Sequence, residues 1–436
     1  MRHFGCVCGR ICCRHQTVIF NRYSAACRWI VVHWFEALKR PKETYFAAFF
    51  LQQILFYLLI YYWMLTMKKS LLALALMGAF SGAVLAQSQV TVYGVADAGF
   101  QSFDNGGTAG SVTRLQSGMM KGSSLGFKGS ETLTSDLKAN FVLEMGLNID
   151  DGSSGQGGRA FGRVSTVGLS GEFGSVDFGR GKTTIFKFVE AFSPFEAGYI
   201  NNGNGLANGT GTRTTAGLYF VGGTATVAGA ANAANSTGRA GNAVFYSSPK
   251  VMDAFSAEAQ YAFGEVAGDA KASSSMGVNL RYTANGFDIG YAYFKDNAQT
   301  ATPLTINEKS ANTLAVTYNF GMVKPVVMYQ EVKDQAALAL KQDTFTVGAT
   351  ITINPISRVM VTYSVINDKT AISATNKASV GEAKQFAVGY RYDFSKRTSI
   401  YTAFASTSQD ATSQKLGAAL AGKDVKEVTL GMRHFF

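Results

Sequence analysis

The sequence predicts an all-β protein, a 16-stranded antiparallel transmembrane β-barrel, and three observations carry that prediction. From Gln89 onward apolar residues alternate with polar or small ones, as in Phe345, Val347, Ala349 and Ile351 against Thr344, Thr346, Gly348 and Thr350. Successive side chains of a strand point to opposite faces, so each such segment has one apolar and one polar face. Tight turns alternate with long Gly/Ser/Ala/Asn-rich loops over the same stretch. No helix of membrane length can be read after residue 86, so a membrane crossing there would use strands, and the sheet would have to close because lipid cannot satisfy an open edge.

Sixteen segments carry the alternation: 89–103, 118–130, 136–149, 160–171, 174–181, 240–250, 253–263, 274–284, 286–295, 309–320, 322–333, 341–352, 356–367, 382–393, 397–407 and 425–436. Most hold the roughly ten residues that a tilted membrane strand needs. The first opens on Gln89-Val90-Thr91-Val92-Tyr93. Ser248-Pro249-Lys250-Val251-Met252, Ala284-Asn285-Gly286, Asn319-Phe320-Gly321 and Asn354-Pro355-Ile356 are tight turns by their Asn-Gly, Asn-Pro and Ser-Pro chemistry. The rhythm is short, long, short, long. A soluble β-sandwich could alternate but has no reason to collect every long loop at one end. An outer-membrane barrel does, with short turns toward the periplasm and an even strand number. In the last segment Val428, Leu430, Met432, His434 and Phe436 share one face, and Thr429, Gly431, Arg433 and Phe435 the other. That segment resembles the terminal strand of bacterial outer-membrane proteins, in which the final aromatic, here Phe436, belongs to the targeting signal.

Residues 67–86 read as a secretory leader. Lys68 and Lys69 follow Met67, an apolar run extends from Leu71 to Val84, and Val84-Leu85-Ala86 has the small-residue form of a cleavage site. The mature barrel would then be 87–436. Residues 1–66 hold all five cysteines, all three tryptophans and three of the four histidines. Past the leader, 30 Lys+Arg face 27 Asp+Glu, a balance of +3 where the whole chain carries +11, so the basicity gives no argument for nucleic acid. The break reads as non-native upstream sequence from a misplaced start. The rival reading is a real extension, since 44–67 is uncharged and long enough to span a bilayer.

Chemistry is missing where an enzyme would need it. Gly181-Lys182-Thr183 hints at a phosphate-binding loop, but Val176 stands where that motif requires glycine. His434 is the sole histidine after residue 66 and no cysteine accompanies it, so no His/Cys metal cluster or catalytic triad can assemble. The expectation is no catalysis, no cofactor and no metal.

Several stretches resemble the Gram-negative trimeric general porins, particularly the β-proteobacterial type: VTVYGVADAG (90–99), SSLGFKGSETL (123–133), LKANFVLEMG (137–146), FGRVSTVGLSGEFGSVDFGR (161–180), AVFYSSP (243–249), YDFSKRTSIYTAF (392–404) and GMRHFF (431–436). The resemblance implies a homotrimer in outer-membrane lipid and lipopolysaccharide, each barrel enclosing a water-filled pore for ions and small hydrophilic solutes. It implies too that the third long loop, 182–238, folds into the lumen as a constriction; its length independently marks it as more than a connector. The family sets acids of that loop against bases on the facing wall. By local motif the bases would be Arg163, Arg180 and Arg239, and the loop acids Glu190 and Glu196, the latter in SPFEAG, an altered form of the family turn. Asp97 would share the lumen side with Val95. Ser124 stands where relatives place a base just before LGF, and the shortage of bases leads to an expectation of weak selectivity leaning toward cations. A substrate-specific outer-membrane channel is the alternative function, and an exported β-structured adhesin a further one.

Overall fold

The computed structural model describes residues 89–196, 238–299, 306–334, 340–369, 381–413, 418 and 420–436. The expected extension 1–66, the leader 67–86 and most of the expected inserted loop (197–237) lie outside the described residues.

Among the described residues seventeen strands form one antiparallel sheet: β1 (Gln89–Asp104), β2 (Val112–Ser117), β3 (Ser124–Thr132), β4 (Leu137–Gly146), β5 (Val164–Gly171), β6 (Gly174–Lys182), β7 (Arg239–Ser247), β8 (Phe255–Ala262), β9 (Ser275–Ala284), β10 (Phe287–Gln299), β11 (Ile306–Tyr318), β12 (Val323–Asp334), β13 (Leu340–Asn354), β14 (Ser357–Asp368), β15 (Ala383–Asp393), β16 (Thr398–Gln409) and β17 (Val425–Phe435). β2 and β3 occupy one place in the sheet, because β1 pairs with β2 over Ala98–Phe103 and with β3 over Gln89–Val95. The barrel is therefore sixteen-stranded. It closes where β1 pairs with β17, and the Gly94 and Phe436 backbones exchange two N–H···O bonds of 3.1 Å at the seam. Closure leaves no unpaired edge in lipid.

The second segment differs from expectation. Instead of one strand over 118–130 the chain breaks at 118–123, between β2 and β3. Met119 and Met120 are adjacent yet both buried, which a pleated strand cannot arrange. Elsewhere alternation holds. Along β17, Val425, Glu427, Thr429, Gly431 and Arg433 face in while Lys426, Val428, Leu430, Met432 and His434 face out. Large apolar side chains such as Phe100, Val167, Leu280, Leu314 and Leu430 stand exposed on the outward face, the surface lipid requires. Ring pairs Phe287–Tyr318, Tyr318–Phe320 and Tyr392–Phe394, with centroids 4.5, 4.5 and 5.2 Å apart, gather beside the tight turns, as in an interfacial aromatic girdle. The Asn285-Gly286 turn has left-handed backbone at both residues (φ 52° and 82°), the twist a two-residue hairpin demands.

After β6 the chain turns into the lumen as a helix, α1 (Thr184–Phe192). The Thr183 hydroxyl caps it by accepting from the Phe186 N–H at 3.3 Å. Nine residues make a marginal helix in water, so its position comes from packing. Ile185, Phe188, Val189 and Phe192 bury against inward residues of β10, β11 and β12: Ala292, Phe294, Ala311, Ala315, Val326, Met328 and Val332. Each such side chain contributes about 1.5–3 kcal/mol. Small wall residues make the seat; a Cβ on Gly290 would lie 2.5 Å from the Phe188 ring.

Candidate pore constriction

Downstream of α1 the turn Ser193–Glu196 crosses to the facing wall. Phe195 is fully buried among Met119, Met120, Met360, Ala387, Tyr401 and Ala403. A Cβ on Gly389 would come within 2.7 Å of its ring. The helix is thus held on β10–β12 and the turn on β14–β16, which stretches the segment between two parts of the lumen wall.

Beside the Lys187–Glu258 pair (2.8 Å) that α1 makes with β8, two charge clusters among the described residues take the other acids of this segment. The first lies on the wall built by β4–β7. Arg163 Nε donates to Glu144 Oε1 at 2.5 Å, and the Tyr93 hydroxyl donates to Glu144 Oε2 at 3.0 Å. Arg239 Nε donates to the Arg163 carbonyl at 3.1 Å. Glu190 reaches out from α1 and takes Lys182 Nζ at 2.5 Å and Lys121 Nζ at 2.7 Å, one on each carboxylate oxygen. The Phe186 ring lies 5.4 Å from the Lys182 ammonium and 5.6 Å from the Arg239 guanidinium, within cation–π range. Burial alone would push the Glu190 carboxyl up, but Lys182 and Lys121 outweigh it and hold the group below the ordinary glutamate value. The second cluster lies nearer the tight turns. There Glu196 places Oε1 2.7 Å from Arg391 Nη1 and Oε2 2.9 Å from Arg433 Nη1, while Arg358 Nη2 pairs with Asp393 Oδ2 at 2.8 Å.

The residues anticipated from sequence are distributed unevenly over these clusters. Arg163, Arg239 and Glu190 meet in the first, and Glu196 anchors the second. Arg180 stands at the margin of the first cluster. It pairs with Ser165 beside a register shift between Gly179 and Gly181, and its charge is near enough to Arg239 to act on it. Its Nε donates to the Gly162 carbonyl at 2.8 Å. Asp97 faces inward but is fully buried, and its carboxylate accepts from the Met120 N–H at 3.1 Å, the Lys121 N–H at 2.7 Å and the Tyr401 hydroxyl. It clamps the break between β2 and β3 and offers a solute nothing. Phe436 sits at the seam, its backbone paired with Gly94.

Sequence reasoning did not set Lys121, Lys182 or Arg433 among the constriction residues, and it read Arg391 as lining the wet wall. The base absent at Ser124 is supplied three residues earlier by Lys121, which the break swings toward α1. Two adjacent methionines before it, interrupting the alternation, were the available signal.

The sequence pattern described as "Gram-negative porin" matches residues 73–412. The chain belongs to that family. The outer membrane porin protein 32 of Delftia acidovorans is 31% identical over 385 residues, covering 85% of this chain and all of the relative. The major outer membrane protein P.IB of Neisseria lactamica is 30% identical over 386 residues with the same coverage. The solved anion-selective porin from Comamonas acidovorans superposes with a TM-score of 0.63 at 26% identity, over 80% of this chain and all of the other. As a porin the protein is a passive channel of the bacterial outer membrane, and its family consists of channels, not enzymes.

Proposed function

We propose that this porin is a homotrimeric general diffusion channel, set among outer-membrane lipid and lipopolysaccharide, whose pore narrows at α1 and the Ser193–Glu196 turn and favours anions there. The observation that carries the reading is the charge balance of the first cluster. Lys121, Arg163, Lys182 and Arg239 stand against Glu144 and Glu190. The loop adds no further carboxylate, since no Asp or Glu occurs in the sequence between Glu196 and Asp253. Fixed charge at a narrow, partly desolvated point biases ion passage by its sign. This is opposite to the cation lean expected from sequence, and the difference lies in the two lysines. The Comamonas acidovorans relative, described as anion-selective, supports the same sign. The leader 67–86 would be removed on export, leaving 87–436 in the membrane.

The test is the zero-current potential of the purified protein in a planar bilayer under a KCl gradient. A potential of the sign set by chloride is expected; one set by potassium would reject the anion preference, and no conductance at all would reject the open channel.

A further inference from the structure

The Arg391–Arg433 pair has more capacity than the pore needs merely to anchor a loop. Glu196 takes one arginine on each carboxylate oxygen, at 2.7 and 2.9 Å, so the two guanidinium groups are spaced to clamp a single carboxylate. Both arginines are at least nine-tenths buried. Among the described residues the Nε atoms of Arg358, Arg391 and Arg433 have no hydrogen-bond acceptor, although Asp393 Oδ1 lies 3.1 Å from Arg391 Nε as an ion pair. These arginines line a cavity of about 500 Å³ that reaches the tight turns and also includes Lys396 and Arg397. Among the described residues five cations there face two carboxylates, Glu196 and Asp393. Glu196 itself sits in left-handed backbone, φ 57°, uncommon for a residue with a Cβ.

We propose that Arg391 and Arg433, backed by Arg358, form a subsite for a small multiply charged oxyanion, carboxylate or phosphate, and that Glu196 occupies it as a tethered stand-in when no solute is present. Buried guanidinium groups bind such ions through paired, charge-assisted hydrogen bonds. An incoming oxyanion displaces the Glu196 carboxylate, which turns aside into the wet lumen, and the spare donors and the cavity accept the ion's remaining oxygens. The inference rests on the pore reading above but assigns a site apart from the Lys121–Glu190 cluster.

The experiment measures block of chloride current by succinate and, separately, by inorganic phosphate, in wild type and in variants. Glu196→Gln removes the competitor while keeping its shape, so the half-blocking concentration of one or both probes should fall roughly tenfold, about the worth of one charge-assisted bond. The double variant Glu196→Gln/Arg391→Gln should lose that gain. Glu190→Gln removes the same charge at the other cluster and controls for general electrostatics. An equal gain in Glu190→Gln, or no gain in Glu196→Gln channels that still carry chloride, overturns the proposal. Absence of chloride current in wild type would instead refute the channel reading on which it rests. The probe that gains more identifies the preferred group.

Discussion

The two places where the inserted segment meets the wall are built on opposite principles. Along β10–β12 the contact is dry: α1 lays Ile185, Phe188, Val189 and Phe192 on alanines, Val326 and Met328. At its other margins the contact is ionic, with Glu190 held by Lys121 and Lys182 and Glu196 by Arg391 and Arg433. Apolar burial is non-directional and is not screened by ions, so it fixes where the helix rests. Charge is screened and exchangeable, so in the proposed reading it governs what passes. Position and selectivity are thus assigned to different residues of one short segment.

That division can be broken from the apolar side with the largest effect. Phe188→Ala opens a cavity in the seat worth about 3–5 kcal/mol. It should loosen α1, seen as enlarged, noisy single-channel conductance while the barrel stays folded by circular dichroism. A quiet channel of normal conductance would mean that the ionic contacts alone hold the helix. Next comes Asp97→Ala, which leaves the buried Met120 and Lys121 N–H groups without their acceptor at a cost of about 1–3 kcal/mol. Lys121 should leave Glu190, and the anion preference should change with little loss of barrel melting temperature. Unchanged selectivity would show that the break does not position Lys121.

Acid sharpens the comparison more gently. The Glu190 carboxyl is lower in the folded protein than its ordinary value of 4.5, so its pairing is fully present above that value and is lost as pH falls through the depressed one. Anion preference should therefore hold steady down through the ordinary carboxylate range and rise only below it. In Glu190→Gln the rise should shrink to what Glu144 contributes; a rise of the same size there would place the titrating group elsewhere. The smallest effect is expected of Phe186→Leu, which keeps the apolar bulk but removes a ring facing Lys182 and Arg239, worth about 0.5–1 kcal/mol per contact. A modest decrease in the thermal stability of the folded channel, with selectivity nearly intact, is the expected result.

Strand alternation was legible without coordinates because in a barrel lipid reads one face of every strand and water the other, so period two is written into each segment. Val428, Leu430, Met432 and His434 were assigned to one face from sequence and stand exposed on the outward side. Arg163, Arg239, Glu190 and Glu196 were legible by local motif. The seat of Arg180 on the Gly162 carbonyl was not, because the register shift at Gly179–Gly181 is a property of the pairing between β6 and β7. Lys121 was invisible because alternation gives no rule for a strand that breaks, and the partner of lumen-side Arg391 because nothing local says which distant residue will reach it.

By itself, then, the sequence determined the class of the protein, its strands, their two faces and the tight turns, since these depend on neighbours one or two residues apart. Tertiary structure alone decided which charges meet. Glu196 lies 195 residues from Arg391 and 237 from Arg433, and only closure of the barrel around the inserted segment brings those groups together at the lumen wall, where their sign has an effect.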